Sequence, residues 1–131
     1  MVDVQSGFAC GRKSRTDGVP HLRMNNISSR GTIGLSLVWR VPADPSQQER
    51  YALMKGDVLI TDTNSPRLVG RSALFELDGQ YVFSNHLTRL RLSESACPRW
   101  IALVIHWLWT EGFFETICKQ WVNQAAVSKE K

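Results

Sequence analysis

The chain changes its hydrophobic period once. Up to residue 92, apolar and polar side chains alternate in short runs broken by glycine and proline, as in strands joined by turns. From Ser93 the apolar positions recur every three or four residues, as in helices. This order predicts an α+β fold: a twisted, mostly antiparallel sheet of several strands, with two C-terminal helices (about 96–111 and 113–122) packed on it.

Val2 to Gln5 alternates and predicts a short strand; Gly7 and Gly11 bracket a turn, and Arg12-Lys13-Ser14-Arg15 forms a basic loop. After the break at Gly18-Val19-Pro20, His21 to Ile27 reads as a strand. Its period turns Leu22 and Met24 to an apolar underside and sets His21, Arg23 and Asn25 in a hydrogen-bonding row on top. Thr32 to Val41 reads as a further strand, and Pro42 to Gln48 as a surface loop.

The densest stretch is Lys55 to Arg71. The Gly56-Asp57 turn leads into the apolar run Val58-Leu59-Ile60, and Thr61 to Pro66 is a loop of short donors and acceptors followed by Arg67 and Arg71. Val69 to Leu77 predicts a strand with Leu74 and Phe75 in the core, and Asp78-Gly79 predicts a hairpin whose return begins at Tyr81. Ser84-Asn85-His86 interrupts the next run. Beyond it, Thr88, Leu90 and Leu92 share one face, and Leu87, Arg89 and Arg91 the other. In the first helix, Ser93 or Ser95 caps and Pro98 sits in the first turn. Trp100, Leu103, Val104, Trp107 and Leu108 form the apolar face, opposite Arg99, His106 and Thr110. Gly112 ends that helix, and Phe113, Phe114, Ile117 and Trp121 are the apolar positions of the second.

Composition adds a sign to this outline. With 131 residues and a formal charge of +4, the chain has the size of one domain and favours an acidic partner. Cys10, Cys97 and Cys118 have neither disulfide nor zinc-ligand spacing, which predicts a reducing, cytoplasmic setting. Residues 1–10 lack the apolar core of a secretory signal, and the run Trp100 to Trp109 is too short to span a bilayer.

The chemistry-bearing motifs are negative. There is no G-x-S-x-G, P-loop, G-x-G-x-x-G or H-E-x-x-H, so no catalytic residue and no metal ligand is assigned. One enzymatic alternative is a magnesium-dependent nuclease using Asp57 or Asp62 with Glu76 and Asp78, although no lysine follows the second acid to activate water. Another alternative is a protein-interaction domain with a basic face. Polar strand faces beside arginines suit DNA, where base edges specify and phosphates position. By side-chain chemistry and facing, the base-reading set is His21, Arg23, Asn25, Thr63, Asn64, Ser65, Asn85 and His86. The phosphate-contacting set is Arg12, Lys13, Arg15, Arg67, Arg71, Arg89 and Arg91. Solvated loops and sheet faces account for the same residues more plainly.

Four blocks, in order, carry a resemblance to a known family: Gly18-Val19-Pro20-His21-Leu22-Arg23-Met24-Asn25-Asn26-Ile27; Leu53 to Ile60 with Gly70; Ser84-Asn85-His86-Leu87 with Arg91; and Asn123-Gln124-Ala125-Ala126-Val127. Together they resemble the target recognition domain of the specificity subunit of type I restriction-modification systems, the HsdS family, over nearly the whole chain. The resemblance implies a non-catalytic domain that reads one half of a split target in double-stranded DNA. Its partners would be a methylation subunit and possibly a restriction subunit. S-adenosylmethionine, ATP and magnesium would be bound only on those partners, with no cofactor on this chain. Residues 1–131 are read as a single recognition domain without the family's long spacer helix and second recognition domain, which raises the prospect of a homodimer or of pairing with a second recognition domain.

Overall fold

The computed structural model describes residues 2–62 and 67–122, with side chains to residue 117. The fold is α+β, as the change of period predicts, with the strands divided between two sheets. In the larger, β1 (Val2–Ser6), β7 (Leu87–Leu92), β4 (Val58–Thr61) and β5 (Ser72–Leu74) lie in that order and pair antiparallel throughout. In the smaller, β2 (Val19–Leu22) lies between β3 (Trp39–Val41), antiparallel to it, and β6 (Val82–Phe83), parallel to it. The main core fills the space between the sheets: Leu59, Ala73 and Leu87 of the larger meet Leu22 and Phe83 of the smaller, with Ile27, Leu53 and Phe75 around them.

Several local expectations change. The strand expected over His21 to Ile27 stops at Leu22, and Met24–Asn26 forms a 3-10 turn. Buried Asn26 ties this turn to the segment after it: its Oδ1 accepts from the Arg23 amide, and its Nδ2 donates to the carbonyls of Gly34 and Leu37, all at 2.9 Å. The segment expected as a surface loop contains α1 (Pro45–Arg50). Asp44 and Gln47 cap it reciprocally, side chain to amide, at 2.8 and 3.1 Å. Asp78-Gly79 is a turn with φ +109° at the glycine, but it closes no hairpin, because β5 and β6 belong to different sheets.

The helices α2 (Pro98–Thr110) and α3 (Phe113–Val122) fall where the period puts them, and α2 packs on β5 and β4. The inward face of α2 is turned round the helix, however: Val104 and Leu108 are half-buried, and Arg99 and Thr110 are exposed as expected. Ala102 is buried, whereas Trp100, Leu103 and Trp107 are 61%, 58% and 57% exposed. His106, expected on the polar side, is half-buried beside Gly31 and stacks on Trp109. The position before Pro98 is Cys97, whose side chain makes no cap; the hydroxyls of Ser93 and Ser95 bond each other at 2.9 Å. Among the described residues no helix is long and apolar enough to cross a membrane.

His21 is part of the interior. It is 1% exposed, its Nε2 shares a hydrogen bond of 3.0 Å with the Phe8 carbonyl, and its ring centroid lies 5.1 Å from that of Phe8. Burial lowers its pKa below the usual value of 6.5; the bond to Phe8 opposes the shift, and Arg23 adds to it. The unfolded chain therefore takes up a proton that the folded chain resists. The contribution of His21 is neutral above about pH 6.5 and becomes destabilising as the pH falls below it. The wild-type protein is expected to lose more stability between pH 7 and pH 5 than His21→Gln. Parallel melting-temperature profiles would exclude this role.

Candidate nucleic-acid interface

The parallel pairing of β2 with β6 brings the C-terminal ends of these strands together, and hydrogen bonding adds the end of β4. The Ser84 amide donates to the Leu22 carbonyl at 2.9 Å, and the Asp62 amide to the His86 carbonyl at 3.0 Å. Thr88 donates its hydroxyl to Asp62 Oδ2 at 2.6 Å. On the other side of β4, amide-to-carbonyl bonds of 2.8 Å link Thr61 to Arg71 and Gly70 to Thr61. Arg71 Nη1 reaches the Ile27 carbonyl at 3.4 Å. Segments 23–27, 61–62, 67–71 and 84–86 therefore meet at one end of the molecule.

This end carries side chains chosen from the sequence for base reading or phosphate contact. Asn25, Arg67, Asn85 and His86 are exposed, and Arg23 and Arg71 half-buried. Thr63, Asn64 and Ser65 lie outside the described residues. The surface is rich in donors and acceptors, with guanidinium groups beside them, which is the chemistry that base edges and phosphates require.

The basic loop is built into the sheet edge. Ser14 and Arg40 exchange backbone hydrogen bonds of 2.8 and 2.7 Å, and the Ser14 hydroxyl accepts from the amides of Thr16 and Asp17 at 3.1 Å. The Lys13 ammonium and the Arg15 guanidinium each lie 5.4 Å from the centre of the Trp39 ring, close enough for cation–π attraction. Arg40 donates to the Gly18 carbonyl at 2.9 Å. Trp39 pairs with His21 and Arg40 with Pro20, so this basic loop lies along the β3 edge of the smaller sheet. Trp39 and Arg40 are absent from the sequence-derived set. The visible signal was the Trp39-Arg40 pair in a strand, and nothing local ties it to residues 13–15.

Two sequence-derived candidates, His21 and Arg89, belong to the interior, and a third, Arg91, is half-buried and engaged there, because the face of β7 that carries Leu87, Arg89 and Arg91 is turned inward. Arg89 is 3% exposed; it pairs with Asp3, donates to Gln5 and to the Ala52 carbonyl, and lies 5.8 Å from the Phe83 ring. Burial lowers its pKa, the Arg91 charge adds to this, and Asp57 and Asp3 oppose it. Arg91 grips buried Asp57 with two bonds of 2.9 and 2.8 Å, and that hydrogen bonding is the main cause of its raised pKa. Their charges neutralise partners within the fold.

The carboxylates of the nuclease alternative are dispersed. Asp57 is held by Arg91 and the Met54 amide, Asp62 by Thr88, Glu76 by Arg99 and Asp78 by Lys55. Among the described residues no three histidine, cysteine, aspartate or glutamate side chains cluster to hold a metal.

No protein-family model matches the chain, and no curated protein does. Solved structures do match. One comes from work on complex assembly and conformational transition of the type I R-M system; it is 18% identical, with a TM-score of 0.64 over 84% of this chain and 26% of that one. Another is the HsdS subunit from Thermoanaerobacter tengcongensis, 16% identical, with a TM-score of 0.63 over 98% of this chain and 37% of that one. The chain thus spans 26% and 37% of the chains it matches. At these identities the likeness is one of fold: the chain shares its fold with part of each of these chains.

Proposed function

We propose that this chain is a DNA-reading module of a type I restriction-modification specificity subunit, a component without chemistry of its own. One observation carries the reading: in a fold shared with HsdS, exposed hydrogen-bonding side chains and arginines gather where β2, β4 and β6 end. In this reading Arg23, Asn25, Asn85 and His86 address base edges, together with Thr63, Asn64 and Ser65. Arg12, Lys13, Arg15, Arg67 and Arg71 address phosphates. The domain reads one half of a bipartite target in double-stranded DNA in the cytoplasm. Methylation and restriction subunits supply S-adenosylmethionine, ATP and magnesium chemistry, and a second recognition domain or a second copy reads the other half. The exposed stripe Trp100, Leu103 and Trp107 is the kind of surface that meets another protein chain, and it supports the partner side of the reading.

The test is selection from a random duplex library at fixed salt. Arg23→Ala and Asn85→Ala are each expected to relax the preference at particular base pairs by about 1–3 kcal/mol, the value of a specific base contact. A loss spread evenly over all sequences would refute the assignment of base readers. Cleavage by the purified chain with magnesium alone would refute the non-catalytic reading.

A further inference from the structure

We infer that the cleft between the 67–71 turn and the α2–α3 junction holds one DNA phosphate, and that Trp109 is the positioning residue that presents Arg67 and Arg71 to it. This rests on the DNA-reading role proposed above and assigns part of it to a helix that the recognition residues do not include.

The cleft, about 490 Å³, is lined by Arg67, Arg71, Trp109, Thr110 and Glu115. Trp109 engages the turn twice: its Nε1 donates to the Arg67 carbonyl at 2.9 Å, and its ring lies 5.0 Å from the Arg71 guanidinium. Trp109 is itself backed by His106, stacked at 6.0 Å with 29° between the rings, and His106 rests against Gly31. From α3, the Phe114 ring fills the space over Gly70, where φ is +89° and a Cβ would collide with it. The turn is therefore clamped by both helices. Holding the Arg67 carbonyl fixes where that side chain starts, and the cation–π contact fixes the plane of Arg71.

The chemistry of the lining selects the ligand. Arg67 is exposed, and its guanidinium has no protein partner among the described residues; Arg71 is half-buried, with Nη1 donating to the Ile27 carbonyl at 3.4 Å and Nε closed off from solvent. The open fork of Arg67, with the Arg71 charge beside it, matches the oxygens of a phosphodiester. The Trp109 ring already serves Arg71 and His106, which makes it a support for a cation and not a platform for a base.

A salt series of duplex DNA binding by the full chain tests this. Trp109→Phe removes the indole N–H and keeps a ring beneath Arg71; Arg67→Gln removes the cation and keeps the carbonyl. Each is expected to weaken binding about three- to tenfold, the size of one hydrogen-bonded contact, and to reduce the slope of log affinity against log salt by about one. The double variant is expected to bind as Arg67→Gln does, because Trp109 acts through Arg67. Wild-type affinity and slope in Trp109→Phe, or losses that add in the double variant, would overturn the positioning role. Arg71→Gln, which leaves the indole bond in place, is also expected to lower the slope by about one; an unchanged slope would overturn the cleft. Absence of DNA binding by the wild-type chain at low salt would instead overturn the DNA reading, and this inference with it.

Discussion

Arg91→Ala is expected to destabilise the fold by about 3 kcal/mol, the lower end of the range for breaking a buried ion pair from one side. The arginine side chain is 32% exposed and that of Asp57 only 2%, so the cost lies in the carboxylate left behind. Asp57 retains the Met54 amide at 2.7 Å but loses both guanidinium bonds and the charge that balances its own. The Ala52 carbonyl loses its bond of 3.1 Å to Arg91 as well. Urea unfolding should show a lower midpoint at an unchanged slope. Replacing the pair together, Arg91→Met with Asp57→Leu, should cost less than Arg91→Ala alone, because no charge is stranded. A loss below about 1 kcal/mol, the range of a surface pair, would return Arg91 to the phosphate-contacting set.

Arg12, Lys13 and Arg15, replaced together by glutamine, are expected to produce the opposite pattern: a large loss of DNA binding with little loss of stability. Removing three phosphate contacts should lower the slope of log affinity against log salt by about 2.7 and weaken binding at least about tenfold at physiological salt, for all sequences alike. The fold should change by no more than about 1 kcal/mol, because the three side chains are exposed and the loop's backbone bonds to Arg40 remain. An unchanged slope would remove this loop from the interface and leave its contacts with Trp39 as packing only.

These two outcomes separate arginines that look alike in the sequence. Arg12, Arg15, Arg89 and Arg91 all sit in polar or alternating surroundings. Period two puts Arg89 and Arg91 on one strand face, but it is silent on whether that face meets water. The inside was decided by Leu87 entering the core, by buried Asp57, and by Asp3 and Gln5 meeting Arg89 from the neighbouring strand. The same ambiguity holds for α2. Its stripe of Trp100, Leu103 and Trp107 is real, yet small Ala102 on the opposite side permits close approach to β4 and β5. α1 is a different case. The Asp44-Pro45 start with Gln47 three positions after the cap is a legible helix signal, obscured by the polar composition around it.

The candidate site was legible in part for the same reason. Asn25, Arg67, Asn85 and His86 sit next to turn signals, and turns are usually at the surface. Trp39 and Trp109 were not legible, because each acts on residues distant in the chain. Trp109 reaches the Arg67 carbonyl across 42 residues. Nothing around either tryptophan distinguishes a cation support from a core anchor.

By itself, then, the sequence determined the class of the fold, the extents of α2 and α3, and a surplus of positive charge, because period, proline and glycine placement and composition act locally or by simple summation. Only the tertiary structure decided which face of β7 and of α2 is inside, that the strands form two sheets with β6 parallel to β2, and which arginines are left for a ligand. Those outcomes depend on pairings across tens of residues. A buried charge stays where a partner of opposite sign is held against it, and that partner is found only once the chain has folded.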